Sequence, residues 1–89
     1  MITRTVVISN KLGLHARAAA KLVATASQFE SSLRIQKGDK SVDGKSIMSV
    51  MLLAASIGTE LVIQTDGPDE EAAADAICQL IDDKFGEGE

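Results

Sequence analysis

Tryptophan and tyrosine are absent from this chain, phenylalanine occurs only at Phe29 and Phe85, and its 89 residues hold one cysteine, one proline and one histidine. Each scarcity excludes something. A single thiol, Cys78, forms no internal disulfide, and with no basic neighbour or second thiol to activate it reads as a small, partly covered side chain. Base stacking has almost no aromatic rings to use and the second half of the chain is acidic, which argues against nucleic acid. One histidine and one cysteine far apart, with no carboxylate cluster at ligand spacing, make no metal site, and no cofactor is expected. The longest apolar tract, 47–57, is interrupted by Ser49 and Ser56 and falls short of the ~18 residues that cross a bilayer. Met1-Ile2-Thr3-Arg4 lacks the apolar stretch of a secretion signal. The expectation is one cytoplasmic domain over residues 1–89, away from membranes, with an aliphatic and alanine-rich core.

Charge is unevenly placed. Residues 1–45 hold eight Lys/Arg against Glu30, Asp39 and Asp43, a balance of +5, whereas residues 46–89 hold Lys84 against ten acids, a balance of −9. The basic half suits a phosphate site and an acidic protein partner steered by long-range attraction. Within it lies the sole imidazole, in Leu14-His15-Ala16-Arg17, where the turn Asn10-Lys11-Leu12-Gly13 meets the alanine-rich start of a helix. Amides at a helix start lack partners and carry partial positive charge, so an anion held at His15 would be met by that end and by the planar donor fork of Arg17. Neutral imidazole attacks phosphorus, and the phosphoramidate it forms is reactive enough to pass the group onward. These residues describe a carrier.

Along the chain, residues 2–9 are β-rich with Val6 and Ile8 on one face. A helix over residues 16–28 follows, with Ala19, Leu22, Val23, Ala26 and Phe29 facing the core and Arg17, Ala20, Lys21 and Ala24 facing outward as a stripe a partner could approach. Leu33 and Ile35 alternate in a strand, Lys37-Gly38-Asp39-Lys40 turns, and Ser41-Val42-Asp43 returns as a hairpin. Residues 60–65 form another strand with Leu61 and Ile63 on one face. After Gly67-Pro68, an acidic start opens a last helix whose core stripe is Ala73, Ile77, Leu80 and Ile81, with Lys84 and Gly86 marking its end. The order is βαββαβα, which implies an α+β fold with a single antiparallel sheet covered by helices on one side.

The middle helix has no solvent face. Ser46 is a good N-cap, but from Ile47 to Ala55 only Ser49 is polar. With Val50 and Leu53 at the sheet, Ile47, Met48 and Met51 form an outward apolar patch suited to docking. Gly44-Lys45-Ser46 mimics the end of a nucleotide-binding loop, but five residues separate Gly38 from Gly44 where that motif needs four. An ATPase is excluded on that spacing.

Gly13-Leu14-His15-Ala16-Arg17 and Gly44-Lys45-Ser46-Ile47-Met48, at this separation, closely resemble the histidine-containing phosphocarrier (HPr) family of the bacterial phosphoenolpyruvate-dependent phosphotransferase system. The resemblance covers essentially the whole chain. It implies an open-faced β-sandwich: a four-stranded antiparallel sheet covered on one face by three helices. It also implies that His15 accepts phosphate at Nδ1 from phosphorylated enzyme I and passes it to a IIA-type domain, that Arg17 contacts the phosphate, and that Ser46 is modified by an ATP-dependent HPr kinase/phosphorylase. The protein would then be a monomeric intermediate carrier rather than a stand-alone enzyme, serving sugar transport or regulation. Ala18 stands where the family usually has proline, which keeps a backbone N–H near the site and removes a dihedral that helps start the helix. The run Ala18-Ala19-Ala20 with Gly86-Glu87-Gly88-Glu89 resembles the nitrogen-related regulatory branch as much as the sugar-transport branch. A regulatory protein-binding module for nitrogen or carbon control, switched at Ser46 and His15, is the alternative to a relay.

Overall fold

Period-two alternation of apolar residues builds the sheet. The computed structural model describes residues 1–86, in which the strands are β1 (Ile2–Val7), β2 (Ser32–Lys37), β3 (Lys40–Asp43) and β4 (Glu60–Asp66). The helices are α1 (Ala16–Ala26), α2 (Ile47–Met51) and α3 (Glu70–Asp82), and a 3-10 turn spans Lys84–Gly86. All strand pairs are antiparallel, in the spatial order β1-β4-β2-β3. The fold is thus the expected open four-stranded sheet with three helices. Register places Val6 opposite Leu61, Ile63 between Arg4 and Ile35, and Leu33 opposite Thr65. Side chains two apart share a face, so Val6, Leu33, Ile35, Leu61, Ile63 and Thr65 are buried together. Gly38, with φ +57, takes the first central place of the two-residue β2–β3 turn, where a side chain would be strained.

The helices complete the core with small residues at the contacts: Ala18, Ala19, Leu22 and Ala26 from α1, Val50 from α2, and Ala73, Ala74, Ile77 and Ile81 from α3. Several sequence expectations change here. Helix α1 stops at Ala26, two residues before Gln28, and Phe29 is only half-buried. On α3, Leu80 is half-buried and Ala74 is fully covered in its place. The core is not purely aliphatic, because Phe85 is 0% exposed among α1, α3 and the sheet residues of the same cluster. Helix α2 ends at Met51 instead of running to Ala55. The chain turns there through Leu52 and Leu53 to Ala54, whose φ of +50 is left-handed without a glycine to signal it. Val50 and Leu53 do face inward, both 0% exposed.

None of α1, α2 and α3 has a basic residue in its last turn. Carbonyls in the turns just beyond each helix are instead met by a lysine from elsewhere in the chain: Lys45 Nζ donates to Phe29 O at 2.8 Å, Lys37 Nζ to Leu53 O at 2.8 Å, and Lys21 Nζ to Phe85 O at 2.7 Å. A cation at a helix C-terminus is worth about 0.3–1 kcal/mol, and here the same bonds also tie neighbouring elements together. Arg4 pairs with Asp75 on α3. Arg4, Lys21, Lys37 and Lys45 thus tie elements of the fold together; the three lysines keep their full charge, because a carbonyl is neutral, whereas Arg4 is matched by an acid. Cys78 is half-buried, and burial pushes its thiol pKa up while the charge of Arg4 beside it pulls the other way. A basic neighbour is thus present after all, but it does not outweigh desolvation.

Candidate phosphoryl-acceptor site at the start of α1

Helix α1 begins at Ala16 because His15, with φ −80° and ψ −179°, leaves the helix for extended backbone and serves as its N-cap. The His15 carbonyl accepts from Ala19 N–H at 2.8 Å, so amides earlier in the helix have no acceptor within it. The His15 side chain makes no capping hydrogen bond, and the first turn contains no acid to neutralise the positive end of the helix. The imidazole is half-buried and Arg17, two residues on, is exposed. Ala18 is fully buried against the core, which seats the helix end without the ring of a proline.

The approach to His15 is held from behind. Ile8 N–H donates to Thr59 O at 2.9 Å, Gly58 N–H to Ile8 O at 2.8 Å, and Leu14 N–H to Ala55 O at 2.8 Å, lacing the β1–α1 loop to the α2–β4 loop. Gly13 has φ +69, and a Cβ there would lie 2.5 Å from Ala55 O and 2.9 Å from Ser56 Cα. Only glycine meets both demands, the left-handed dihedral and the close backbone contact. Asn10 Nδ2 donates to Gly13 O at 2.7 Å inside this loop. Sequence reasoning noted the Asn10–Gly13 turn but missed both its buried side-chain bond and the 55–59 segment behind it.

Ser46 is the N-cap of α2, its Oγ accepting from Ser49 N–H at 3.4 Å, and it is half-buried. Ile47, Met48 and Met51 are 42%, 75% and 42% exposed, as the apolar run implied. Ala20, Lys21 and Ala24 are exposed on α1, which packs against α2. Lys21 differs from expectation in that its ammonium is committed to Phe85 O. Leu12, Leu52 and Ile57 are further exposed apolar residues of these helices and their loops. Sequence reading overlooked them, although Leu52 belongs to the same apolar run. No group of three potential metal ligands occurs among the described residues, and no helix among them is long and apolar enough to cross a membrane.

The sequence model of the family described as "PTS HPr component phosphorylation site" matches residues 2–83. The chain belongs to the HPr family. Phosphocarrier protein HPr of Cupriavidus necator is 53% identical over 89 residues, covering 100% of both chains. Phosphocarrier protein NPr of Shewanella violacea is 43% identical over 86 residues, covering 97% of this chain and 94% of its own. Among solved structures, HPr of Thermoanaerobacter tengcongensis superimposes with a TM-score of 0.94 at 47% identity, with 98% of each chain covered. HPr-family membership makes this chain a phosphocarrier-type protein of the phosphotransferase system.

Proposed function

We propose that His15 carries a phosphoryl group from phosphorylated enzyme I to a IIA-type protein. A lone pair on its Nδ1 attacks the donor's phosphorus, a new N–P bond forms, and the bond to the donor nitrogen breaks with its electron pair left on the donor imidazole. The receiving protein repeats the exchange in the same sense. The developing charge on the phosphoryl oxygens meets the amides at the start of α1 and the guanidinium of Arg17. One observation carries this reading: His15 is the N-cap of a helix whose first turn holds an arginine and no acid. Residues Ala20, Lys21, Ala24, Ile47, Met48 and Met51 are the docking surface in this reading. Incubation with phosphoenolpyruvate and enzyme I tests it. The expected product is an acid-labile, alkali-stable label that His15→Ala abolishes; an acid-stable label, or one that survives the substitution, overturns the relay.

Ser46 is the regulatory site of the same reading, phosphorylated by an HPr kinase/phosphorylase. Phosphate there would place about −2 charge at the N-cap of α2, favourable to that helix end but set beside the Ile47/Met48/Met51 patch. Docking would weaken with the fold retained. A mainly regulatory module is the second reading, favoured by the similarity to an NPr relative. It differs in predicting that binding of a target depends on the Ser46 and His15 states with no onward transfer to a IIA-type acceptor.

A further inference from the structure

We propose that Asn10 is a positioning residue for His15, an inference that rests on the phosphoryl-acceptor reading and deepens it. Asn10 is 0% exposed, unusual for an amide side chain, and lies in the loop that runs from β1 to His15. Burying such a group is unfavourable unless it makes hydrogen bonds, so its placement requires a use. Its Nδ2 donates to Gly13 O at 2.7 Å. The same peptide unit, on its other side, donates Leu14 N–H to Ala55 O at 2.8 Å. The Gly13–Leu14 peptide plane is therefore held at both polar ends, its carbonyl by Asn10 and its amide by Ala55.

That plane is the last backbone unit before the Leu14–His15 pair. Glycine at position 13 leaves the plane intrinsically easy to rotate, since no Cβ limits it. A rotated plane would turn the Leu14 amide from Ala55 and swing His15 relative to the start of α1. Leu14 is 5% exposed and anchors its side chain, but a buried side chain alone does not fix the peptide that precedes it. Asn10 closes this degree of freedom from three positions upstream, and the Asn10 backbone carbonyl adds a bond from Gly13 N–H at 3.2 Å. The restraint acts through the backbone, on the peptide that leads into His15. Misplacement of a reacting group by about 1 Å costs on the order of a hundredfold in rate, so a partial loss of restraint is expected to be visible in turnover.

Asn10→Asp keeps the shape and removes the donor, because a carboxylate only accepts. Asn10→Ala removes the whole group. With enzyme I and phosphoenolpyruvate, both should lower kcat for phosphorylation about tenfold with KM within about twofold of the parent, since the docking surface is untouched. The His15 imidazole resonances should move in the unphosphorylated variants while amide resonances of α3 stay in place. Asn10→Ser, a smaller change whose hydroxyl is shorter than the amide arm, carries the same expectations should the other two fail to fold. A folded variant with kcat within twofold and unmoved imidazole signals overturns the proposal, as does a loss expressed wholly in KM. A parent protein that takes up no phosphate overturns the carrier reading instead; the imidazole resonances then still decide the role of Asn10.

Discussion

Replacing Gly13 by alanine should damage the protein more than the same replacement at Gly58, and the difference measures how tightly the His15 loop is pressed against its support. Both glycines have positive φ, +69 and +86, so both variants incur the left-handed cost of about 1–2 kcal/mol for a residue with a Cβ. At Gly58 nothing lies within 4 Å of the added carbon, and that cost stands alone. At Gly13 the carbon meets Ala55 O at 2.5 Å and Ser56 Cα at 2.9 Å, backbone atoms that move only if the loop moves. Overpacking of this kind adds about 1–3 kcal/mol. Urea denaturation should thus place Gly13→Ala about 2–5 kcal/mol below the parent and Gly58→Ala about 1–2 kcal/mol below it. For a domain of this size each kcal/mol moves Tm by about 4–8 °C, so thermal melts separate the two variants easily. Because the displaced backbone carries His15, Gly13→Ala should also transfer phosphate more slowly at temperatures where it is fully folded. Equal destabilisation of the two variants would refute the close-contact account of the loop.

Three further outcomes follow from the packing and the charges. Phe85→Ala should cost about 3–5 kcal/mol in denaturant unfolding, since its ring is fully buried; a loss below about 1 kcal/mol would mean the terminal turn is not part of the core. The Asp69 carboxyl is held below its ordinary pKa first by the Ser31 hydroxyl and then by the Glu30 and Ser31 amides. A lowered folded-state pKa stabilises above the ordinary carboxylate range and is lost as pH falls through it, so Asp69→Asn should flatten the acid limb of a stability–pH curve; an unchanged limb would count against it. Ser46→Asp retains an N-cap acceptor and should leave Tm within a few degrees of the parent while weakening enzyme I binding. Undiminished binding measured by calorimetry would remove Ser46 from the docking account.

Local signals were strong where one short segment decided its own conformation. The alternation of Leu33 and Ile35, the Gly38-Asp39 turn and the Ala19/Leu22/Ala26 stripe each specify an element within a few residues. The place of His15 at the start of α1 was legible for the same reason, being adjacent to that helix in the chain. What escaped was set by distance in the chain. Ala54 ends the turns after α2 with a left-handed dihedral that no glycine announces, so the apolar run read as one longer helix. Lysine caps from other elements, such as Lys37 on Leu53 O, join residues 16 apart and leave no local pattern. Phe85 is buried only because the turn after α3 brings it against α1 and α3, a meeting that its own neighbours in the chain do not signal. Arg4 and Asp75 meet only because β1 lies beneath α3.

The most direct test of the central claim is the nitrogen NMR spectrum of the His15 imidazole before and after treatment with phosphoenolpyruvate and enzyme I. Being the sole histidine, it gives an unambiguous signal. The account predicts that Nδ1 acquires coupling to phosphorus and loses it when a IIA-type acceptor is added. An imidazole spectrum that stays unchanged while the chain gains phosphate elsewhere would contradict it.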